Sequence, residues 1–224
     1  MDIYIVSLID SVCRRAEIGN RLDSFKLSYR FIDAVDGRKL AAAEYFQKML
    51  NENYWFNRRA FISPSELGCK LSHEKALNEF LSTEQNLCIV LEDDAILDHR
   101  FVELLEFINN LDIKDDFILH LGGQDGLPSS RRVLKTKNKK FEGIFSVNKL
   151  TLRWLYRTVG YVISRESALK IIDVHSKNNF VVDDWGFILR KANIKNIYFK
   201  NVISHPIDLS DSAIQKERNT KNYD

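Results

Sequence analysis

Short apolar runs alternate along the chain with longer segments in which apolar residues recur every three or four positions. The runs at 3–8, 87–91 and 117–121 have the length and continuity of strands that are buried on both faces of a sheet. Two further runs, at 158–164 and 197–203, predict additional strands. Because helical patterns lie between most of these runs, the order predicts an α/β fold with a mostly parallel central sheet flanked by helices.

The helical patterns carry start signals and apolar stripes. Residues 63–81 open with the letters SPSE, a capping box with proline at the first helical position, which predicts a helix over this range. Residues 101–111 carry an amphipathic stripe, and Asp98 is the expected cap of that helix. Shorter patterns at 166–175 and 185–192 predict two more helices.

Length and composition indicate one folded unit. The chain has 224 residues, of which 45% are hydrophobic and 29% charged, as is typical of a soluble domain with a single core. We expect the catalytic or binding domain to span 1–206 and a polar C-terminal tail to span 207–224. The net charge of +2 gives no reason to expect a nucleic-acid partner.

Two features of the chain favour a cytoplasmic location. The N-terminus lacks the basic start of a signal peptide, and Asp10 interrupts its apolar run. Three cysteines, at positions 13, 69 and 88, are an odd number without metal-ligand spacing. We therefore expect a reducing compartment.

Three consecutive carboxylates, Glu92, Asp93 and Asp94, follow the apolar run that ends at Leu91. Like charges at the end of a buried strand repel one another, so a cation is expected to offset them. If the chain stays extended, Glu92 and Asp94 face one side and Asp93 the other. Mg²⁺ or Mn²⁺ takes oxygen ligands and completes its shell with substrate phosphates, so the triplet favours a diphosphate substrate. The alternative is a helix cap that pairs with surface lysines.

A second acidic pair, Asp183 and Asp184, follows the run Val181-Val182 and precedes a predicted helix. Either carboxylate could serve as a general base toward an acceptor hydroxyl, or could simply cap the helix. Two histidines, His73 and His205, are candidates for binding metal or phosphate, and His205 is favoured because it follows a predicted strand.

The segment 122–140 is the longest irregular stretch, and its second half is strongly basic. Six lysines and arginines lie between Arg131 and Lys140 without an intervening acidic residue. This cluster is either a solvated mobile loop or a surface for phosphate-bearing or anionic membrane partners.

Several sequence blocks, in this order, resemble glycosyltransferase family 25, which includes bacterial lipooligosaccharide galactosyltransferases and animal collagen galactosyltransferases. The blocks are IYIVSL at 3–8 followed by Arg14-Arg15, DAVDG at 33–37, SELGCKLSH at 65–73, VLEDDA at 90–95, GYVISRESA at 160–168 and VDD at 182–184. The resemblance extends from residue 3 to about residue 206.

The resemblance implies a single GT-A-like, Rossmann-type domain, a nucleotide-sugar donor and a divalent metal, Mn²⁺ or Mg²⁺. It also implies roles for individual residues. Asp94 is the expected metal ligand, with Glu92 and His205 as further candidate ligands and with Glu92 and Asp93 supporting the donor. The expected nucleotide and donor contacts are Ser7, Arg14 or Arg15, Glu66, Ser72 and His73. Asp183 or Asp184 is the expected base.

The function that follows from the resemblance is inverting transfer of a hexose, galactose from UDP-galactose, to a hydroxyl of a bacterial surface glycan or glycolipid. The expected setting is lipopolysaccharide, O-antigen or capsule synthesis at the inner face of the cell membrane. Two alternatives stay open: a Mg²⁺-dependent phosphohydrolase or phosphotransferase, and a non-catalytic module that binds a metal or a sugar nucleotide.

Overall fold

A nine-stranded sheet forms the centre of the part of the chain that this computed structural model describes, namely residues 1–49, 62–111, 113, 115–208, 210 and 212–220. The strands are β1 (Asp2–Ser7), β2 (Arg30–Asp33), β3 (Leu87–Glu92), β4 (Ile96–Leu97), β5 (Ile118–Gly122), β6 (Lys135–Lys137), β7 (Phe145–Val147), β8 (Gly160–Ser164) and β9 (Ile197–Ser204). The five predicted strands are therefore confirmed as β1, β3, β5, β8 and β9.

Seven helices accompany the sheet within the described residues. They are α1 (Val12–Ser24), α2 (Ala42–Met49), α3 (Pro64–Leu81), α4 (His99–Asn109), α5 (Arg165–Lys177), α6 (Trp185–Lys191) and α7 (Ala213–Thr220). The predicted capping box begins α3: the Ser63 hydroxyl accepts from the amide of Glu66, and the Glu66 carboxylate accepts from the amide of Ser63. Asp98 caps α4 by accepting from the amide of Arg100, as predicted.

The strand order is β2-β1-β3-β8-β5-β9-β7-β6, and β4 pairs with β9. Among the six strands from β2 to β9, β8 runs opposite to the other five, so the sheet is mixed although most central strands share one direction. This reversal has a consequence for the site. The carboxyl ends of β1, β3, β5 and β9 meet at one edge of the sheet, and the residues that precede β8 reach the same edge.

Both faces of the sheet are buried, which explains why its strands read as continuous apolar runs. Alternate residues of β1 enter two different clusters: Tyr4 and Val6 pack with residues of α3, α5 and α6, whereas Ile3 and Ile5 pack with residues of α1 and α4. The predicted single-domain α/β class is confirmed. The proposed division at residue 206 stays a prediction.

The segment 122–140 is more ordered than an irregular loop. It contains a 3₁₀ turn at Pro128–Arg132 and the strand β6, which pairs with β7 at the edge of the sheet. In the part of the chain that the structure describes, no helix combines the length and the apolar character needed to cross a bilayer.

Candidate active site

A cavity of about 550 Å³ opens at the edge of the sheet where the carboxyl ends of β1 and β3 meet. Its lining includes nine of the residues predicted from sequence: Ser7, Arg14, Glu66, Ser72, Glu92, Asp93, Asp94, Asp183 and His205. Its volume lies within the usual range of small-molecule sites. The topology thus brings residues from five separate sequence blocks to one place, which we call the central cavity.

The acidic triplet turns instead of continuing as a strand. The amide of Ala95 donates to the carbonyl of Glu92 (3.2 Å), so the chain bends at Asp93 and Asp94. The prediction that Glu92 and Asp94 face one side and Asp93 the other is therefore wrong. All three residues line the central cavity, and each carboxylate has different partners.

Asp93 is anchored to the first strand. Its Oδ2 accepts from the Ser7 hydroxyl (2.6 Å), and its Oδ1 lies 3.4 Å from the guanidinium of Arg14. Burial raises the pKa of Asp93, against the opposing effects of Ser7 and Arg14. Asp93 therefore positions the end of β1 and the start of α1 beside the cavity.

Asp94 has one carboxylate oxygen with partners and one without. Its Oδ2 lies 3.5 Å from His205 Nε2 and 3.8 Å from Arg14 Nη1. Its Oδ1 is buried and has no hydrogen-bond partner among the described residues. Burial raises the pKa of Asp94, but the hydrogen bond and charge of His205, together with Arg14, outweigh burial and lower it overall.

The His205 imidazole faces acceptors through both ring nitrogens. Nε2 faces Asp94, and Nδ1 lies 2.6 Å from the carbonyl of Pro206. Burial lowers the pKa of His205, but the hydrogen bond and the charge of Asp94, together with the Pro206 carbonyl, outweigh burial and raise it overall. His205 thus carries positive charge beside the triplet more readily than a solvated imidazole does.

Glu92 is held by Thr158, which also lines the cavity, and by His73, which lies outside the described lining. Its Oε1 accepts from the Thr158 hydroxyl and lies 3.3 Å from His73 Nε2. His73 is buried, and its Nδ1 lies 3.1 Å from the hydroxyl of Tyr161. His73 therefore supports Glu92, and within the described lining of the cavity it makes no direct contribution.

The two residues of the second acidic pair have different environments. Asp184 is the N-cap of α6 and accepts from the amide of Phe187 (2.9 Å). Asp183 lines the central cavity, and its Oδ1 is buried without a hydrogen-bond partner among the described residues. Burial, reinforced by the neighbouring charges of Glu92 and Asp184, raises the pKa of Asp183 to about 6.

Arg15 and Glu66 hold structural elements together at the rim. Arg15 donates to the carbonyl of Ser7 and to Asp33 (both 2.7 Å), which ties β1 to β2, and it lies outside the cavity lining found among the described residues. Glu66 is almost fully buried and accepts from Arg218 of α7 (2.8 Å). The C-terminal helix therefore closes one side of the cavity.

Two cavity residues, Arg157 and Arg218, were not predicted. Arg157 has a positive φ of 66°, an unusual conformation for a residue other than glycine, and donates to the carbonyls of Gly123 (2.7 Å) and Asp125 (2.9 Å). Burial lowers its pKa, while the charges of Asp125, Asp94, Glu92 and Asp183 act in the opposite direction. The sequence contains no local signal for either arginine.

Cys69, His73 and Glu92 each place one potential ligand atom within 4.8 Å of the others. This arrangement was also not predicted. Burial, together with the nearby carboxylates, raises the pKa of the Cys69 thiol well above its usual value. A protonated thiol is a poor metal ligand, so the cluster is better explained as packing around Glu92.

The arrangement brings several arginines and His205 together with a larger number of carboxylates, and one of these, Asp183, has a raised pKa. Comparison with known proteins gives the chemical context. A family model described as glycosyltransferase family 25 (LPS biosynthesis protein) matches residues 1–185. The predicted resemblance is confirmed by this match.

Three relatives illustrate the range of the similarity. Human procollagen galactosyltransferase 2 is 27% identical over 179 residues, or 76% of this chain and 27% of the human protein. A glycosyltransferase 25 family member from Aedes aegypti is 27% identical over 174 residues, or 76% of this chain and 28% of that protein. A rat protein named probable inactive glycosyltransferase 25 family member 3 is 29% identical over 109 residues, or 47% of this chain and 19% of the rat protein. The chain spans about a quarter of the length of the first two relatives.

Solved structures show a weaker likeness. A glycosyltransferase involved in glycosylation of the major capsid of PBCV-1 has a TM-score of 0.47 and 8% identity, covering 96% of this chain and 100% of that one. The galactosyltransferase LgtC, in complex with donor and acceptor sugar analogues, has a TM-score of 0.42 and 11% identity, covering 89% and 73%.

Proposed function

Because the chain belongs to glycosyltransferase family 25, we propose that it transfers a hexose from a nucleotide-sugar donor to a hydroxyl of a glycan acceptor, with inversion at the anomeric carbon. The proposed donor is UDP-galactose. The proposed acceptor is a bacterial lipopolysaccharide, O-antigen or capsule precursor at the cytoplasmic face of the cell membrane. The observation that carries this proposal is one cavity that joins the acidic triplet to Asp183.

The donor diphosphate has cationic groups available in this cavity. Arg14, Arg157 and His205 all line it, and Arg14 Nη1 and His205 Nε2 lie 3.8 Å and 3.5 Å from Asp94 Oδ2. The loop after β2, which includes Val35 and Asp36, lines the same cavity beside Ser7 and is the proposed position of the nucleoside. A diphosphate bound between these groups would present the sugar to the interior of the cavity.

Asp183 is the proposed general base. A base must be ionised to accept a proton, yet basic enough to take it from a hydroxyl, and a raised pKa near the working pH meets both needs. Asp183 has the free, buried carboxylate oxygen and the raised pKa of about 6 that this role requires. It would take the acceptor proton while the acceptor oxygen attacks the anomeric carbon from the face opposite the diphosphate.

The site is compatible with a divalent cation. The buried Oδ1 of Asp94 has no partner among the described residues, and the His205 imidazole lies beside the same carboxylate. Carboxylate oxygens suit Mn²⁺ or Mg²⁺, so Asp94 would hold the ion. His205 would be a second ligand as the neutral imidazole, in place of its charged contact with the diphosphate. When bound, such an ion supplies positive charge to the departing diphosphate. Glu92 Oε1 already accepts from Thr158 and lies beside His73, so we propose that Glu92 supports the site and does not hold the ion.

The alternatives are less well supported. A phosphohydrolase that forms an aspartyl-phosphate would need a carboxylate after the first strand, where this chain has Ser7 donating to Asp93. A non-catalytic module would bind a sugar nucleotide without transferring the sugar, and one rat relative is named probable inactive. Turnover, and not binding, is therefore the quantity to measure.

The test is a transfer assay with a panel of radiolabelled nucleotide sugars, with and without glycan acceptors, in the presence of Mn²⁺ or Mg²⁺. We expect incorporation from UDP-galactose and a loss of at least about a hundredfold in Asp94→Asn. Asp173→Asn, which removes an exposed carboxylate on α5, is the matched control and should keep full activity. Binding of UDP-galactose without transfer to any acceptor would overturn the proposal, and release of phosphate from simple esters would favour the phosphohydrolase.

A further inference from the structure

A strongly basic surface lies on the segment 131–153. Its eight lysines and arginines are all exposed, and we call them together the basic surface: Arg131, Arg132, Lys135, Lys137, Lys139, Lys140, Lys149 and Arg153. The segment contains one acidic residue, Glu142, so it carries seven net positive charges, whereas the whole chain carries two. The rest of the chain is therefore net negative, and the positive charge is concentrated in one place.

Ion pairs among the described residues are formed by other basic side chains. None of the eight side chains forms an ion pair with a carboxylate among the residues that the structure describes. Several are held in place by aromatic rings: Lys135 lies 4.1 Å from the ring centroid of Phe199, and Arg153 lies 4.3 Å from that of Trp154. The basic surface thus presents charges that have no ion-pair partner among the described residues, and some of these side chains pack against aromatic rings.

Two large apolar side chains are exposed within the same surface. Leu150 is 84% exposed and Leu134 is 58% exposed. Two hydrogen bonds connect the backbone of Leu134 to residues close to Leu150 in the chain. The amide of Leu134 donates to the Thr151 hydroxyl (3.1 Å), and its carbonyl accepts from the amide of Asn148 (2.9 Å). Leu134 therefore lies against the 3₁₀ turn that carries Leu150.

Protection of a sheet edge accounts for only part of this surface. Lysines are common on edge strands because they discourage pairing with other chains, and β6 is an edge strand. That explains Lys135 and Lys137. It does not explain the charges on the two flanking 3₁₀ turns, Pro128–Arg132 and Lys149–Trp154, or the two exposed leucines, Leu134 between the turns and Leu150 on the second turn.

We propose that the basic surface binds lipid bilayers that contain anionic phospholipids, with the lysines and arginines on the headgroups and Leu134 and Leu150 inserted at the headgroup boundary. Basic residues gain from the negative surface potential of such bilayers, and a polyanion without an apolar phase would offer nothing to the leucines. This proposal depends on the surface alone and is independent of which sugar is transferred.

The surface lies beside the central cavity. The turn Lys149–Trp154 packs on α6 so closely that a Cβ on Gly186 would lie 2.7 Å from the Cα of Arg153. Asp183 and Asp184 immediately precede α6, and Arg157 and Thr158 follow the turn into the cavity. A bilayer bound at the basic surface would therefore lie near the site where a glycolipid acceptor reacts.

The test is co-sedimentation of the purified full chain with phosphatidylcholine vesicles and with vesicles of phosphatidylcholine plus phosphatidylglycerol. We expect binding only to the anionic vesicles and weaker binding at high salt. The triple variant Lys137→Gln, Lys139→Gln, Lys149→Gln should bind on the order of a hundredfold more weakly, about fivefold for each charge removed. Leu134→Ser with Leu150→Ser should also weaken binding to the same vesicles.

Matched controls carry the same chemical changes elsewhere. Lys26→Gln, Lys177→Gln and Lys195→Gln remove three exposed charges, and Leu169→Ser removes a leucine that is 56% exposed on α5. These variants should bind vesicles as the parent does. Equal binding to neutral vesicles would overturn the proposal. A second result would also overturn it: the leucine variant binds the vesicles as the parent does, and added RNA displaces the protein from them. The surface would then be a general site for polyanions.

Discussion

At the scale of single residues, the neighbours Asp183 and Asp184 show how local structure gives two chemically identical side chains different surroundings. The backbone turns so that Asp184 caps α6 while Asp183 lines the central cavity. As the N-cap, the Asp184 carboxylate accepts a hydrogen bond from the amide of Phe187. The other is left buried without a partner for its Oδ1 among the described residues, and its pKa is raised to about 6.

Replacing Asp183 by asparagine should reduce turnover by about 10²- to 10⁴-fold, because the amide cannot accept the acceptor proton. In the parent chain, kcat/KM should rise with pH through about 6, as Asp183 becomes ionised. A pH series of the transfer reaction measures both effects. The same variant should be more stable than the parent at neutral pH, since it removes a charge that burial disfavours.

Asp184→Asn is the matched control for this prediction. Asparagine is as good an N-cap as aspartate, so the change removes one carboxylate and keeps α6 in place. We expect it to retain turnover and a pH profile of the same shape, displaced to lower pH because the charge of Asp184 helps to raise the pKa of Asp183. Equal losses in the two variants would assign the effect to the charge of the pair and not to a base at Asp183.

The sequence predicted well which residues meet at the site. It predicted less well which groups each of these residues contacts. The order of the blocks around Ser7, Ser72, Asp94 and Asp183 was enough to predict that they converge. The sides that the acidic triplet faces were mispredicted because a turn, and not a strand, follows Glu92. Arg218 was missed because its ion pair with Glu66 joins residues far apart in the chain.

At the scale of elements, α3 explains why one sequence block contains such different residue types. Its Glu66 is part of the cap, Ser72 accepts from the amide of Val35 (2.8 Å), and His73 supports Glu92. Gly68 lies where α3 touches the 3₁₀ turn Gly37–Lys39. The block therefore fixes the loop after β2 and the end of β3 against one helix.

Gly68→Ala should lower the free energy of unfolding by at least about 2 kcal/mol. A Cβ at this position would lie 2.5 Å from the carbonyl oxygen of Val35 and 2.6 Å from the amide nitrogen of Gly37, and backbone atoms cannot move aside as a side-chain end can. Chemical denaturation measures the change. Because Val35 and Gly37 line the cavity, donor affinity should fall as well.

Gly19→Ala, in the interior of α1, is the matched control. There the new Cβ would meet the hydroxyl oxygen of Tyr29 at 2.8 Å, the far end of a flexible side chain. Alanine also favours a helix over glycine by up to about 1 kcal/mol, so stability should be nearly unchanged or slightly higher. If both variants lost stability equally, close packing at Gly68 would not be the cause.

Elements that carry a strong local pattern were predicted, whereas elements that lack one were missed, including the 13-residue helix α1. The capping box, the apolar stripe and the buried runs each specify an element by local pattern, as α3, α4 and β5 show. The edge strand β6 has the sequence KTK, which is fully exposed and carries no apolar pattern. Its pairing is set by contacts with β7 that the local sequence does not encode.

At the scale of the whole molecule, buried titratable groups make stability depend on pH. His120 and His175 are buried, and burial lowers the pKa of each to about 4, from about 6.5 in a solvated chain. Between these two values the unfolded chain binds protons that the folded chain does not. Stability therefore falls as pH falls from about 6.5 to 4, by up to about 3 kcal/mol for each histidine.

Asp183 acts in the opposite direction. Its raised pKa means that the folded chain binds a proton more readily between about 4 and 6, which stabilises the folded state as pH falls. Two histidines outweigh one aspartate, so the net free energy of unfolding should decrease over this range. Denaturant unfolding at a series of pH values between 4 and 7 measures the slope.

Replacement of His120 by glutamine should flatten this slope, because the neutral side chain cannot bind the proton that the unfolded chain gains. The slope is the readout, since loss of the contacts of His120 with the carbonyls of Tyr156 and Arg157 will lower stability at every pH. His99→Gln, which makes the same replacement at an exposed histidine, is the matched control. An unchanged slope in His120→Gln would show that acid lability arises elsewhere, with the hydrogen-bonded carboxylates as the next groups to test.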